Sequence, residues 1–305
     1  MTDLRLPAGF RAGPASLADA PAIHRLVAAA EHDLLGRPET GQDAITADLA
    51  RPGLDLAADT LLVHDPHGNP AARAWVNRGR RCAIDVHPRH RGLGLGGALL
   101  GWAEVRARRL GSPRLAQTIQ DADHAATLLL RSRGYTAFVT QWLLQIALPT
   151  APAVPGPPPG ITVRPFEPGD EQAAYLLTED AFDSWQQRRK SYQEWARLTV
   201  GRPTFAPAAS PLAFAGGELV GAVLSLDAPG TNEGYVDRVA VRADHRGRGI
   251  AGLLLRTAFH ALHQGGRRGC TLWTHSDTGA LSLYERAGMT VRSSSTVYGK
   301  PLTDA

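Results

Sequence analysis

One segment of this chain is written twice. Residues 90–111 read HRGLGLGGALLGWAEVRARRLG and residues 245–266 read HRGRGIAGLLLRTAFHALHQGG. At a separation of 155 positions, His90/His245, Arg91/Arg246, Gly92/Gly247, Gly94/Gly249, Gly97/Gly252, Leu99/Leu254, Leu100/Leu255 and Gly111/Gly266 are identical pairs. Each copy follows an apolar strand-like run and reads as an Arg- and Gly-rich turn leading into a helix that Gly ends. A strand, a glycine turn and a helix packed back over the strand form a unit that needs a sheet around it. Two copies therefore call for two α/β domains.

The rest of the chain divides to match. Residues 147–160, ALPTAPAVPGPPPG, carry six prolines and two glycines. Such a run reads as a semi-rigid extended linker between a domain of residues 1–146 and one of residues 161–305. In the first half a helical pattern covers 16–30, with Ser16 and Asp19 as its capping pair. Strands are expected at 61–64 and 71–76 around the turn DPHGN, and at 83–87 before the glycine turn. A strand at 115–119, a helix at 122–133 and a strand region at 136–148 complete it. The second half repeats the order: strand 161–165, helix 170–183, hairpin 212–226, strand 235–241, helix 250–263, strand 270–275, helix 279–286 and strand 291–298. Early strands joined by hairpins, followed by helices alternating with strands, imply an α/β fold with a twisted mixed sheet and helices on both faces, once per half.

Composition narrows the function classes. Hydrophobic residues at 43% and charged ones at 20% describe a globular chain. The formal charge of +4 comes from 33 basic residues, of which Lys190 and Lys300 are the lysines, and no run of five basic residues occurs. That balance offers no nucleic-acid surface. Cys82 and Cys270 fall in strand-like segments, too few for a disulfide framework or a cysteine metal site, so no metal is expected. The opening MTDLRLPAGF has no signal-peptide core and no apolar run approaches a membrane span. We expect a cytoplasmic protein, monomer or homodimer, with no membrane partner.

Both turns satisfy G-x-G-x-x-G, at Gly92/Gly94/Gly97 and at Gly247/Gly249/Gly252. A nicotinamide fold would place that pattern after its first strand, with an acidic residue about 20 positions on. Neither copy does. The physics of the turn survives the change of fold: glycines let backbone N–H groups approach a ligand, and the helix adds its positive N-terminal end. A diphosphate suits that cradle, with Arg91, Arg246 and Arg248 as counter-charges.

At this point a family resemblance appears. VRADHRGRGIA (241–251) and VHPRHRGLGLG (86–96) look like motif A of the GNAT superfamily of N-acetyltransferases. DTGALSLYERAGM (277–289) resembles its motif B, with Asp277 in place of the usual Asn and Met289 in place of Phe. The resemblance implies two tandem GNAT-type domains and acetyl-CoA as acyl donor. It implies a cofactor site at Val239, Ala240, Val241, Arg246, Gly247, Arg248, Gly249, Ile250, Ala251 and Gly252. The first half would supply Ile84, Asp85, Val86, Arg91, Gly92, Leu93, Gly94, Leu95 and Gly96.

It also implies chemistry: a base for the ammonium, N–H groups for the thioester carbonyl and an acid for the leaving thiolate. Tyr284 holds the acid position of motif B, unless it is an ordinary packing aromatic. Asp237, inside a strand of Tyr, Val and Ala, is costly to bury without a partner or a task. It is the candidate base or relay, with a pairing to Arg238 as the other reading. His275 is a candidate second relay or a hydrogen-bonded structural histidine. In the first half Cys82 stands where Asp237 would be and Leu130 where Tyr284 would be, which predicts a degenerate domain that binds acetyl-CoA weakly or structurally.

The acceptor would be a primary amine on a small molecule. Glu179, Asp183 and Trp185 are the candidate contacts, although the acids equally suit a solvated helix face. No Cys or Ser nucleophile has a base in sequence context, so attack is expected to be direct. The tandem layout also resembles mycothiol synthases, which acetylate a cysteinyl-glucosamine-inositol. AVLSL (222–226) lacks the lysine those enzymes set against the substrate. A non-catalytic acyl-CoA-binding or regulatory protein is the competing class, and Tyr284 and Asp237 argue against it.

Overall fold

A computed structural model describes residues 4–183, 188–228 and 230–302. The chain forms two compact units, Met1–Thr140 with Ser294–Ala305, and Gln141–Ser293.

The first unit opens with β1 (Arg11–Gly13) and α1 (Ala20–Leu35). The Asp19 carboxylate accepts from the Ser16 N–H at 2.8 Å before the helix, and Gly36 ends it at φ 75°. Short helices α2 (Gln42–Leu49) and α3 (Leu56–Asp59) follow, then β2 (Thr60–His64), β3 (Pro70–Asn77) and β4 (Arg81–Val86). After the glycine turn come α4 (Leu95–Arg109), β5 (Arg114–Gln120), α5 (His124–Ser132) and β6 (Thr136–Ala147). β1 to β5 lie side by side in chain order, and the C-terminal strand Thr290–Pro301 pairs antiparallel with β5, from Ser295↔Gln120 to Pro301↔Arg114. Helices cover both faces. Leu62 packs with Ile23, Leu26 and Val27 of α1, while its neighbour Val63 packs with Leu95 and Leu99 of α4.

The second unit contains residues 141–147 of β6, then β7 (Ile161–Pro165), α6 (Glu171–Phe182), α7 (Tyr192–Leu198), β8 (Pro211–Ala215) and β9 (Glu218–Asp227). It continues with β10 (Glu233–Val241), α8 (Ile250–Gln264), β11 (Gly269–His275) and α9 (Leu281–Arg286), leading to the C-terminal strand, β12. The sheet order is β6-β11-β10-β9-β8-β7. Alternation along β9 again serves two layers. Val223 joins Leu254, Leu255 and Phe259 of α8, while Ala222 and Leu224 join Leu177 of α6 and Trp195 of α7.

The units and the sequence halves group residues differently at two places. Residues 141–147 pair with β11, and the C-terminal strand pairs with β5, because each satisfies its backbone groups on that neighbour. The proline-rich stretch is part of the second unit: Leu148 N–H donates to Arg268 O, and His260 Nδ1 on α8 lies 3.0 Å from Pro152 O.

Candidate active site

In the second unit β10 and β11 are parallel neighbours for three residue pairs, Glu233↔Gly269 to Tyr235↔Thr271. Beyond them the strands part. β11 stays paired with β6 along its whole length, so it is β10 that leaves. The register of β10 on β9 shifts between Val236 and Arg238, placing a bulge at Asp237. A bulge bends its strand and redirects the extra side chain. The opening this creates is the candidate site.

Below the opening, the glycine turn leads into α8. Gly247 and Gly249 take φ 76° and 80°, values that favour glycine, and Gly249 is the N-cap of the helix. No atom stands within 4 Å of where a Cβ would sit on either. Gly247 and Gly249 at the start of α8 thus have open space beside them. They border a cavity of about 790 Å³. All the residues expected to bind the cofactor here line it except Arg248, which is exposed. Arg246 is held by its Nε–H donating to Val241 O at 3.0 Å, and Arg256 and Arg286 add two further guanidiniums. The lining contains no carboxylate among the described residues. A bulky polyanion fits such a wall, and the diphosphate of acetyl-CoA is a polyanion of that kind.

Tyr284 is in the same wall, 8% exposed. Burial, with Tyr235 as neighbour, pushes its hydroxyl up to about 12, and Thr274 hydrogen-bonds it. It stays protonated at neutral pH, the state an acid needs. Tyr235 was not singled out from the sequence. Burial and then Asp237 raise it to about 12 as well, and Tyr235 is in turn one cause of the upward shift at Tyr284. Its place two residues before Asp237 on one strand was the available signal. Burial raises the Asp237 carboxyl, opposed by Arg238, Arg202 and Lys190. Its Oδ2 lies 3.4 Å from Arg238 Nε, so both readings of Asp237 keep a physical basis. Asp237 is outside the cavity wall, two residues ahead of Val239 on β10. His275 is not in the wall either. Strand alternation sets it on the face opposite Thr274, and its Nδ1 is buried without a hydrogen bond.

On the acceptor side, Glu179 is fully buried. Its Oε2 accepts from Lys190 N–H at 2.8 Å, and Lys190 Nζ is 3.6 Å from its Oε1. The carboxylate thus holds the segment ahead of α7 against α6. Asp183 is exposed at the end of α6. Trp185 lies outside the described residues.

The first unit repeats the backbone without the charge. Gly92 and Gly94 take φ 78° and 83° over open space, ahead of α4. All the expected residues except Leu93 line a cavity of about 320 Å³. Arg91 is the one arginine in that lining among the described residues, and it is ion-paired to Asp33 of α1. Asp85 and Asp123 join the wall. Leu93 stands where Arg248 does, and Gly101 where Arg256 does. Leu130 takes the place of Tyr284 in the wall. The register of β3 on β4 is continuous through Cys82, whose thiol burial pushes up to about 12. Cys270 is likewise held at about 12, so neither cysteine supplies a thiolate at neutral pH.

Comparison with known proteins agrees with this geometry. The family model of the acetyltransferase (GNAT) family matches residues 53–135 and 171–289, one match in each half. The chain belongs to the GNAT acetyltransferase family. It is similar to a mycothiol acetyltransferase of Sanguibacter keddieii, 30% identical over 301 residues, covering 91% of each chain. A mycothiol acetyltransferase of Streptomyces scabiei is 31% identical over 245 residues, covering 77% of this chain and 73% of the other. Among solved structures, a GCN5-related N-acetyltransferase from Sphaerobacter thermophilus superposes with a TM-score of 0.82 at 33% identity, covering 99% and 98%. A tandem GNAT protein from the clavulanic acid biosynthesis pathway shares the fold, with a TM-score of 0.71 at 17% identity over 97% and 99%. This GNAT chain is therefore an acetyltransferase of tandem architecture. No helix among its described residues is long and apolar enough to cross a membrane.

Proposed function

We propose that the protein transfers an acetyl group from acetyl-CoA to a primary amine of a small molecule, by direct attack, in its second unit. One observation carries this reading: among the described residues the larger cavity combines a glycine-turn helix start, three arginines and no carboxylate with a buried, protonated Tyr284. Gly247, Gly249, Arg246, Arg256 and Arg286 would hold the phosphates. Acetyl-CoA, when bound, supplies an acyl group already activated as a thioester. Asp237, kept partly protonatable by burial, takes the proton from the ammonium. Tyr284 donates a proton to the departing sulfur. The transfer forms a bond from nitrogen to the acetyl carbon and breaks the carbon–sulfur bond, releasing the free thiol and one proton. With its arginine bound to Asp33 and Leu130 in place of the tyrosine, the first unit serves as a scaffold that binds acetyl-CoA weakly or not at all.

The test is an acetyl-CoA-dependent assay on a panel of amines with the wild type and Tyr284→Phe. kcat should fall by about 10- to 1000-fold while acetyl-CoA affinity is kept. An unchanged kcat would return Tyr284 to a packing role. A second reading, acetylation of the mycothiol precursor, is favoured by the names of the relatives and by the 91% of each chain that the Sanguibacter keddieii match covers. Including that cysteinyl-glucosamine-inositol in the panel decides between the two.

A further inference from the structure

Two arginines beside Asp237 take no part in the cofactor cavity. Arg238 follows Asp237 at the bulge, and its guanidinium lies over the ring of Phe182, 5.7 Å from the centroid. Phe182 closes α6 and lines the cavity, so Arg238 stands at the rim of the opening. Its side chain is 16% exposed, and its Nε–H is buried without a hydrogen bond, since the approach to Asp237 at 3.4 Å is an ion contact only. Arg202, in the loop after α7, is exposed and has no ion-pair partner among the described residues. Phe205 N–H donates to Arg202 O, and Phe205 bridges Leu226, the partner of Tyr235 on β10, so the Arg202 loop runs beside this end of the strand, and its charge lowers both Asp237 and Tyr235. Lys190, the third cation there, is taken up by Glu179. At the bulge itself two guanidiniums, Arg238 and Arg202, thus act on one carboxylate, Asp237, while Asp183 stands exposed at the end of α6.

We propose that the acceptor carries a carboxylate next to its amine, as an α-amino acid does, and that Arg238 and Arg202 bind that carboxylate while Asp237 faces the ammonium. The inference rests on the amine-acetylating reading above and names its substrate class. A carboxylate and a guanidinium 3.4 Å apart match a zwitterion whose ammonium and carboxylate share one carbon. A neutral aminosugar would leave the Arg238 N–H buried and unpaired in the complex, a cost that disfavours it. The arginines that suit phosphate, Arg246, Arg256 and Arg286, line the cavity itself, so the two sets divide the work between donor and acceptor.

The experiment measures binding apart from turnover. The CoA-saturated full chain is titrated calorimetrically with a panel of L-α-amino acids, their carboxamides and glucosamine, for wild type and Arg202→Gln. Arg202 is exposed, so its replacement leaves the fold intact, and Arg238→Gln is a second variant checked by its melting curve. At least one acid should bind about tenfold or more tightly than its amide, and Arg202→Gln should bring that ratio close to one. Amides that bind as well as acids, glucosamine that binds more tightly than every acid, a ratio that Arg202→Gln does not move, or no binding by any acid would each overturn it. The same panel with acetyl-CoA separates the two claims. Selective binding without acetylation would sink the proposed reaction but support carboxylate recognition. Acetylation of amines regardless of a carboxylate would do the reverse.

Discussion

At the residue scale, the site depends on groups that are uncomfortable where they sit. Burial holds the Asp237 carboxyl above its ordinary value of 3.8. A carboxyl raised in this way stabilises the fold below its unfolded value, and that contribution is lost as pH rises through the folded one. At neutral pH the ionised group is therefore a net cost. Asp237→Asn should lower kcat by about 100-fold while its melting temperature at pH 7 equals or exceeds that of the wild type. The acid limb of the wild-type pH–rate profile should lie above the usual aspartate range, because the base works only when deprotonated. A limb at or below 3.8, or a clear loss of stability in Asp237→Asn, would assign Asp237 to ion pairing with Arg238. Tyr284 and Asp237 could be proposed from the sequence because their spacing to the glycine motifs is fixed along a helix and a strand. Tyr235, Arg256 and Arg286 were not singled out, since their roles arise from which side chains meet across the opening. The Phe182–Arg238 contact likewise depends on where α6 ends and where β10 bulges.

At the scale of elements, the unit that matters is strand, turn and helix. Gly249 has room for a Cβ but not the backbone conformation for one. Gly249→Ala should cost about 1–2 kcal/mol from its φ of 80° alone, and weaken acetyl-CoA binding as the turn shifts. Denaturation and titration of the same variant check both effects, and lost stability with unchanged affinity would remove the turn from the site. Gly234 fixes how closely α8 approaches β10: a Cβ there would stand 2.5 Å from Leu262 Cδ2. Gly234→Ala should destabilise by about 1–3 kcal/mol through overpacking, read by chemical denaturation. These elements could be read from the sequence because glycines punctuate them twice at the same spacing. The short helices α2, α3 and α7 left no such mark, being too brief to show a helical period of their own.

At the scale of the whole molecule, the duplication has produced two units with one backbone plan and different electrostatics. Among the described residues the larger cavity has three arginines and no carboxylate, and the smaller has one arginine bound to Asp33 and two carboxylates of its own. The sequence showed the duplication and placed its divide at the proline-rich run, which lies inside the second unit. It did not show which sheet each terminal strand joins, because that pairing spans the length of the chain and leaves no local signal. Lys300, near the end of the chain, illustrates the consequence. Its Nζ lies 3.0 Å from Oε1 of Glu104, a buried acid on α4 of the first unit. Lys300→Met would leave that acid unpaired and should destabilise the first unit by roughly 3 kcal/mol. A denaturation curve unmoved by the substitution would show that the pair carries no weight. The most direct test of catalysis in the second unit is a calorimetric titration of acetyl-CoA into the wild type, Gly249→Trp and Gly94→Trp, each first shown to be folded. We predict that tight binding is lost in Gly249→Trp and retained in Gly94→Trp; retention in Gly249→Trp with loss in Gly94→Trp would contradict the assignment and move the working site to the first unit.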